Sequence, residues 1–294
     1  MSRLVRRRSR QIEKYWTNHT VRADSFATAE ESEAYLEWRF SQYPFFRELS
    51  GLWGDHRGET VLDYGCGPGN DVVGLLLYSG AAKVIGLDVS PTSIRLAAER
   101  VALHHVVESR VQLVEIAEGD RRLPLDDGSV DHVNCQGVLH HVSDPGRVLR
   151  ELRRVLRPAG RAVVMVYNRD SIWFHVYTAY KRMILEGAFA GKSIDAAFQA
   201  NTDGPACPMS RAYRPAEFAT LCERAGFDAS YRGGYFHRKE PGWLDKHRTG
   251  ALASAELAEE HKRFIREVTW DPEGLPLVGG KHCGIGGVHH LRPL

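Results

Sequence analysis

Glu59-Thr60-Val61-Leu62-Asp63-Tyr64-Gly65-Cys66-Gly67-Pro68-Gly69-Asn70-Asp71 is the stretch that decides how this 294-residue chain folds. A short apolar run ends in an acid, passes through three alternating glycines, and opens into the helical pattern Val72, Val73, Leu75, Leu76, Leu77. That order predicts a strand, a tight turn and a helix, with the turn stripped of side chains so that a ligand can approach the backbone. A second acid, Asp88, closes the next apolar run, Val84-Ile85-Gly86-Leu87. Two acids at the tips of neighbouring strands, around a glycine turn, suit a nucleoside with free ribose hydroxyls, because a carboxylate accepts two hydrogen bonds and donates none.

The glycine spacing also argues against a ligand. A nicotinamide or flavin dinucleotide wants G-x-G-x-x-G/A, so that its pyrophosphate sits on the helix N-terminus. Here the spacing is G-x-G-x-G, with Asn70 where the last small residue should stand. Asp63 and Asp71 add negative charge beside the place a diphosphate would occupy, which favours an uncharged or cationic ligand.

Composition limits the rest. No run of 18 or more apolar residues exists, so no membrane span is expected. The N-terminal arginines are followed by no apolar stretch of the secretory kind. Five cysteines (66, 135, 207, 222 and 283) are scattered and form no C-x-x-C pair, which predicts reduced thiols in the cytoplasm rather than a disulfide framework. The net charge of +2 hides an asymmetry: without Arg3, Arg6, Arg7, Arg8 and Arg10 the chain carries 34 basic and 37 acidic residues. A slightly acidic body argues against a general nucleic-acid surface, and the arginine tail reads as solvated and partly disordered. The expected partner is a small molecule, with no nucleic acid and no membrane; a homodimer stays open.

Three zones follow. Residues 1–57 combine the basic tail with an aromatic segment that includes Tyr15, Trp16, Tyr35, Trp38 and Trp53, and a helix is expected over Ala29–Phe40. Residues 58–169 alternate strands (60–64, 83–88, 111–116, 130–135, 161–167) with helices in the manner of a doubly wound α/β sheet. Ser90-Pro91 and Asp144-Pro145 are helix starts. Right-handed crossovers place Gly65, Asp88, Asp120 and Cys135 along one edge of that sheet, where ligands bind. Residues 170–294 read as a helix from Ile172 to about Ala188, a loop at 201–205, a helix from Pro215 to Gly226, and a helix near 251–268. The apolar segments Phe227–Phe236 and Gly284–Leu291 read as the last strands, and loops carrying Trp243 and Trp270 as a lid.

The run Val61–Gly69 with Asp88 resembles the cofactor loop of class I S-adenosylmethionine-dependent methyltransferases. The resemblance continues through Leu123–Asp131, Gly137-Val138-Leu139-His140-His141-Val142 and Leu156–Arg161, in that family's order. It implies a Rossmann-like methyltransferase fold: a doubly wound, seven-stranded, mostly parallel sheet ending in an antiparallel pair, with a helical N-terminal cap and C-terminal lid insertions. The implied cofactor is S-adenosyl-L-methionine, converted to S-adenosyl-L-homocysteine. Tyr64, Gly65, Cys66, Gly67, Gly69 and Asp71 would form its loop, with Asp63 near the ammonium group. Asp88 would take the ribose, Val89 would pack on the adenine, and Asp120 would meet the adenine amino group. Cys135-Gln136 would contact the cofactor and face the acceptor. One of His140 and His141, with His141 preferred, would be the general base for an acceptor hydroxyl. The alternative for this pair is loop ordering through a backbone bond.

Tyr167 and Asn168, at the end of strand five, are further candidates for contact with the acceptor, and His175 and Arg211 are weaker ones. Lys281-His282-Cys283 and His289-His290 lack zinc spacing, so no metal is expected. The Asn/Asp-Pro-Pro-Tyr/Phe motif is absent after strand four, where Asn134-Cys135-Gln136-Gly137 stands, which argues against methylation of nucleobases or protein glutamine. O-methylation of a natural product or sugar is the first reading. N- or C-methylation of a small molecule and a silent cofactor-binding protein are the alternatives.

Overall fold

The computed structural model describes residues 3–21 and 25–294, with side chains from Arg7 onward. Three helices come first: α1 (Arg3–Asn18), α2 (Ala29–Gln42) and α3 (Phe46–Ser50). The core then alternates β1 (Thr60–Tyr64), α4 (Asn70–Tyr78), β2 (Lys83–Asp88), α5 (Pro91–Leu103), β3 (Val111–Glu115), β4 (Val130–Gln136), α6 (Pro145–Val155) and β5 (Leu156–Tyr167). A π-type helix, Trp173–Leu185, leads to α7 (Ile194–Thr202), α8 (Pro215–Glu223), β6 (Phe227–Tyr235), α9 (Glu240–Ala253) and α10 (Glu259–Glu267). The chain closes with the short strands β7 (Thr269–Trp270), β8 (Pro276–Val278) and β9 (Lys281–His282), and with β10 (Gly286–Pro293).

Seven strands form one sheet in the order β3-β2-β1-β4-β5-β10-β6. The first five pair in parallel, and β10 runs antiparallel to both β5 and β6. The order reverses between β1 and β4, which places the ends of β1, β2 and β4 at the topological switch point. Alternation along each strand feeds two cores. Leu62, Leu87, Val133 and Val164 meet Leu149, Phe218 and Phe227 on one face. Val61, Val84 and Val163 meet Phe46, Trp53 and Leu75 on the other. Ser90 caps α5 by accepting from the Ser93 amide at 3.1 Å, and Asp144 caps α6 by accepting from the Arg147 amide at 2.9 Å.

Several expectations change. The arginine segment is the first half of α1 rather than a disordered tail, because Ser9 and Ile12 on one face are buried. Arg7, Arg8 and Arg10 are exposed, as expected, while the Arg3 and Arg6 side chains lie outside the described residues. The helix expected near 251–268 is two helices, α9 and α10, separated at Ser254, whose hydroxyl accepts from the Glu256 and Leu257 amides. β7, β8 and β9 form a second sheet that the sequence did not announce, since the strands are two or three residues long. Trp243, expected in a loop, lies in α9 and stacks on Tyr177 at 3.8 Å, while Trp270 in β7 is exposed with Arg248 over its ring.

The antiparallel edge demands close backbone approach. A Cβ on Gly284 would lie 2.1 Å from the Tyr235 carbonyl oxygen. Gly284→Ala should therefore cost about 3 kcal/mol, the upper end of the overpacking range. Gly242→Ala in α9, where a Cβ meets nothing within 4 Å, should instead add about 0.4–1 kcal/mol. Urea unfolding checks both: midpoints should move in opposite directions at unchanged m-value.

Candidate active site

A cavity of about 530 Å³ opens at the switch point, within the size range of small-molecule sites. The glycine turn forms its floor. Gly65, Gly67 and Gly69 all have positive φ (75°, 53° and 81°). A Cβ on Gly65 would sit 2.2 Å from a methyl of Val138, so the loop after β4 crosses directly over it. Gly67 has open space where a Cβ would project, and its amide donates to Asp88 at 2.9 Å. The other Asp88 oxygen accepts from the Ser90 amide at 2.8 Å. These two bonds fix the carboxylate and leave a lone pair on each oxygen for a diol. Tyr64, Gly65, Cys66, Gly67, Asp71, Asp88, Val89 and Gln136 all line the cavity.

Asp63 lies in a buried charge cluster. Asn134 Nδ2 donates to Asp63 Oδ1 at 2.8 Å and reaches Asp71 Oδ2 at 3.3 Å, while the Arg39 guanidinium pairs with Asp71 at 2.5 Å. The guanidinium thus pairs with Asp71 alone, and Asp63 is tied to the pair only through the Asn134 amide. Burial, followed by the nearby Asp71 charge, holds the Asp63 carboxyl well above its ordinary range. Asp63 is thus a buried acid that lines the open cavity without a guanidinium or ammonium partner of its own.

Beyond β3 a different acid from the expected one faces the cavity. Asp120 is exposed and outside the cavity, its carboxylate turned back to accept from the Ala117 amide at 2.9 Å. Glu118 lines the cavity instead. Its Oε1 accepts from the Ser143 amide at 2.7 Å, and its Oε2 is buried without a protein partner. Gln136 Oε1 is orphaned in the same way. The family pattern points to the last acid of Glu118-Gly119-Asp120, and only the turn geometry shows that the first one faces inward. Cys135 is fully buried in the sheet core and does not line the cavity, because alternation sends its side chain to the other face from Gln136. Gly69 shapes the helix start against Ala97 and likewise stays outside the lining.

Adjacent residues His140 and His141 have opposite surroundings. His140 is fully buried outside the cavity, stacked on Tyr167 at 3.8 Å, and its Nδ1 accepts from the Tyr167 amide at 3.3 Å. Burial, then the neighbouring His141, pushes its pKa well down. His141 lines the cavity, and its Nδ1 lies 2.8 Å from the Met209 carbonyl. A carbonyl can only accept, so Nδ1 carries the proton and Nε2 keeps its lone pair. Burial lowers the His141 pKa against a partly opposing Asp203 charge, which keeps the ring neutral near pH 7.

Trp16 from α1 sets its ring against His141 at 4.7 Å, and Tyr167, Trp173 and Tyr235 extend an aromatic wall. Tyr15 stays outside the lining and donates to the Asp203 carbonyl at 2.5 Å. Asn168 is held by Gly284, Tyr231 and Asp170, Arg211 by the Val142 carbonyl, and His175 by His261, all outside the cavity. At the C-terminus His282 binds Asp271, while His289 packs between Phe218 and Tyr231, so the tail histidines do not converge.

Two outcomes follow for S-adenosylhomocysteine binding by calorimetry. Its ammonium requires an ionised Asp63, so affinity should fall by up to tenfold per pH unit below the raised Asp63 pKa, and Asp63→Asn should flatten that dependence. Glu118→Ala should weaken binding at least tenfold, whereas Asp120→Ala should leave it unchanged; the reverse order would return the adenine contact to Asp120.

Comparisons with known proteins place this fold in a family. A family described as "Methyltransferase domain" matches residues 62–164. An uncharacterized 37.1 kDa protein of a Streptomyces fradiae transposon is 33% identical over 67% of this chain, and the match spans only 60% of that protein's length. A ubiquinone biosynthesis O-methyltransferase of Neisseria meningitidis is 26% identical over 62% of this chain and 70% of its own. Geranyl diphosphate C-methyltransferase from Streptomyces coelicolor, solved with S-adenosyl-L-homocysteine, shares the fold with a TM-score of 0.57 over 98% of both chains at 15% identity. A probable S-adenosylmethionine-dependent methyltransferase of Mycolicibacterium smegmatis is 30% identical over 74% of this chain and 69% of its own length. The glycine turn, the seven-stranded sheet and these matches together make the chain a member of the S-adenosylmethionine-dependent methyltransferases, with S-adenosyl-L-methionine as its cofactor.

Proposed function

We propose that this chain methylates a ring-bearing small molecule at a hydroxyl oxygen, with His141 as the general base. The observation that carries this reading is the Nδ1 anchor of His141 to the Met209 carbonyl, which leaves an Nε2 lone pair on a cavity-lining ring. Trp16, Tyr167, Trp173 and Tyr235 offer flat apolar faces, suited to an aromatic or sugar ring. The name of the Neisseria relative, an O-methyltransferase of ubiquinone biosynthesis, supports an oxygen on a ring. The five cysteines are free and buried, in keeping with a reducing, cytoplasmic setting. Among the described residues no helix is long and apolar enough to cross a membrane.

When bound, the cofactor supplies a methyl group on a positively charged sulfur. The protein's own tasks are then orientation and proton removal. Asp63, Asp88 and Glu118 hold the cofactor by its charged and polar ends, and the aromatic wall fixes the acceptor and excludes water. His141 Nε2 takes the hydroxyl proton as the oxygen gains its methyl. His140, with Nδ1 used by the Tyr167 amide and no cavity exposure, positions the loop.

The rate should rise with pH through a His141 pKa below the ordinary histidine value and then level off near neutrality. His141→Ala should lower kcat by about 10²- to 10⁴-fold while S-adenosylhomocysteine still binds. His140→Ala should lower the melting temperature without changing the pH profile. Transfer of radiolabelled methyl to a phenol panel reads both; wild-type turnover by His141→Ala would remove the base assignment.

A further inference from the structure

We propose that His141, Asp203 and Cys207 form a binding site for one zinc-like divalent cation at the acceptor end of the cavity. One donor atom from each residue lies within 4.8 Å of the others, and His141 Nε2 is 3.6 Å from Asp203 Oδ1. Zinc bonds of about 2.0–2.3 Å place tetrahedral ligands roughly 3.3–3.8 Å apart, so small side-chain movements complete the set. An imidazole, a carboxylate and a thiol are the donors this ion prefers.

Three independent features point to a cation. First, Asp203 Oδ2 is buried with no hydrogen-bond partner, and the side chain is only 7% exposed. An uncompensated carboxylate oxygen in such a place is costly unless a cation meets it. Second, the supporting bonds are already made. The Met209 carbonyl accepts from His141 Nδ1 and aims Nε2 at the site, and Tyr167 donates to Asp203 Oδ1 at 2.8 Å. Outer hydrogen bonds of this kind orient metal ligands. Third, Asp203 and Cys207 sit on one turn, closed by the Cys207 amide on the Gly204 carbonyl at 3.2 Å, so two ligands share a single local scaffold.

Burial pushes the Cys207 thiol up to about 11, so without a cation it stays protonated and donates to the Met209 carbonyl at 3.3 Å. Binding would release that proton to solvent and form a thiolate–metal bond, and the 2+ charge would be matched by the thiolate and Asp203. The fourth position faces the cavity, which His141 and Asp203 both line. Occupancy therefore takes the Nε2 lone pair away from the acceptor hydroxyl and switches methyl transfer off. This last consequence rests on His141 being the base; the binding itself does not.

Cobalt(II) titration of the full chain tests the site directly. Wild type should bind one equivalent with a thiolate-to-cobalt charge-transfer band, Cys207→Ser should abolish the band, and Asp203→Asn should weaken binding at least tenfold. Cys207→Ser should keep methyl transfer yet tolerate at least tenfold more Zn²⁺ before losing activity. A wild-type protein without the band, or a band unchanged in Cys207→Ser, overturns the proposal. A band without zinc inhibition upholds the site and removes His141 as the base instead.

Discussion

A buried cluster in which Arg39 pairs with Asp71 and Asn134 bridges Asp71 to Asp63 is the constraint around which the molecule is arranged. Arg39 comes from α2, Asp71 from the first turn of α4, Asp63 from β1 and Asn134 from β4. The cluster ties the helical cap to the switch point of the sheet at the place where the glycine turn must hold its shape. Arg39 also packs over the Phe46 ring at 4.5 Å, which joins the charge cluster to the second apolar core. Removing one partner of such a pair typically costs about 3–5 kcal/mol, because the other charge stays buried. Arg39 serves Asp71 directly, and Asp63 keeps only the Asn134 amide. The fold thus retains a local deficit of positive charge, which an ammonium-bearing ligand would fill.

That arrangement explains what could be read in the sequence. The strands at 60–64 and 83–88 appear with those bounds, since short apolar runs ending in an acid before a glycine or Ser-Pro leave little choice. Asp63, Asp88 and the glycines belong to one local βαβ unit, so their neighbours in space are their neighbours in sequence. Arg39 was not legible as part of the site: an arginine on an aromatic helix looks like a solvated residue until β1 and α4 are docked beneath it. Asp203 was hidden for the same reason, lying in a loop 62 positions beyond His141 in the numbering. Asp120 turns outward and Glu118 inward because both acids flank a glycine, and only the turn decides which one faces the cavity. The arginine segment read as a tail because its charge outweighed the Ser9 and Ile12 face that α1 buries.

The two ends of the cavity are built by different means. The cofactor end uses backbone amides, glycines and carboxylates on rigid strand tips, a geometry that tolerates little change. The acceptor end is assembled from side chains on α1, β5, the π-type helix and the turn after α7. α1 is held to that turn by Tyr15 and to the turn after β3 by Glu13, which accepts from the Glu118 amide at 2.9 Å. The same turn therefore carries a cavity-lining acid, Glu118, and an anchor for the helix that presents Trp16. Filling one end should steady the other through this shared turn.

His141 is where the two ends meet, and a single backbone bond fixes what it can do. With Nδ1 donating to Met209, the ring cannot offer a proton into the cavity unless it becomes charged, and burial opposes that charge. It is therefore an acceptor by construction: of a hydroxyl proton, or of a cation. A hydroxyl needs only Nε2, whereas a cation also needs Asp203 and the Cys207 thiolate. The thiol, not the imidazole, separates the two uses, and its raised pKa makes the cation the more demanding occupant. Rising pH assists both, but for different reasons: deprotonation of His141 frees the base, while deprotonation of Cys207 completes the metal-ligand set.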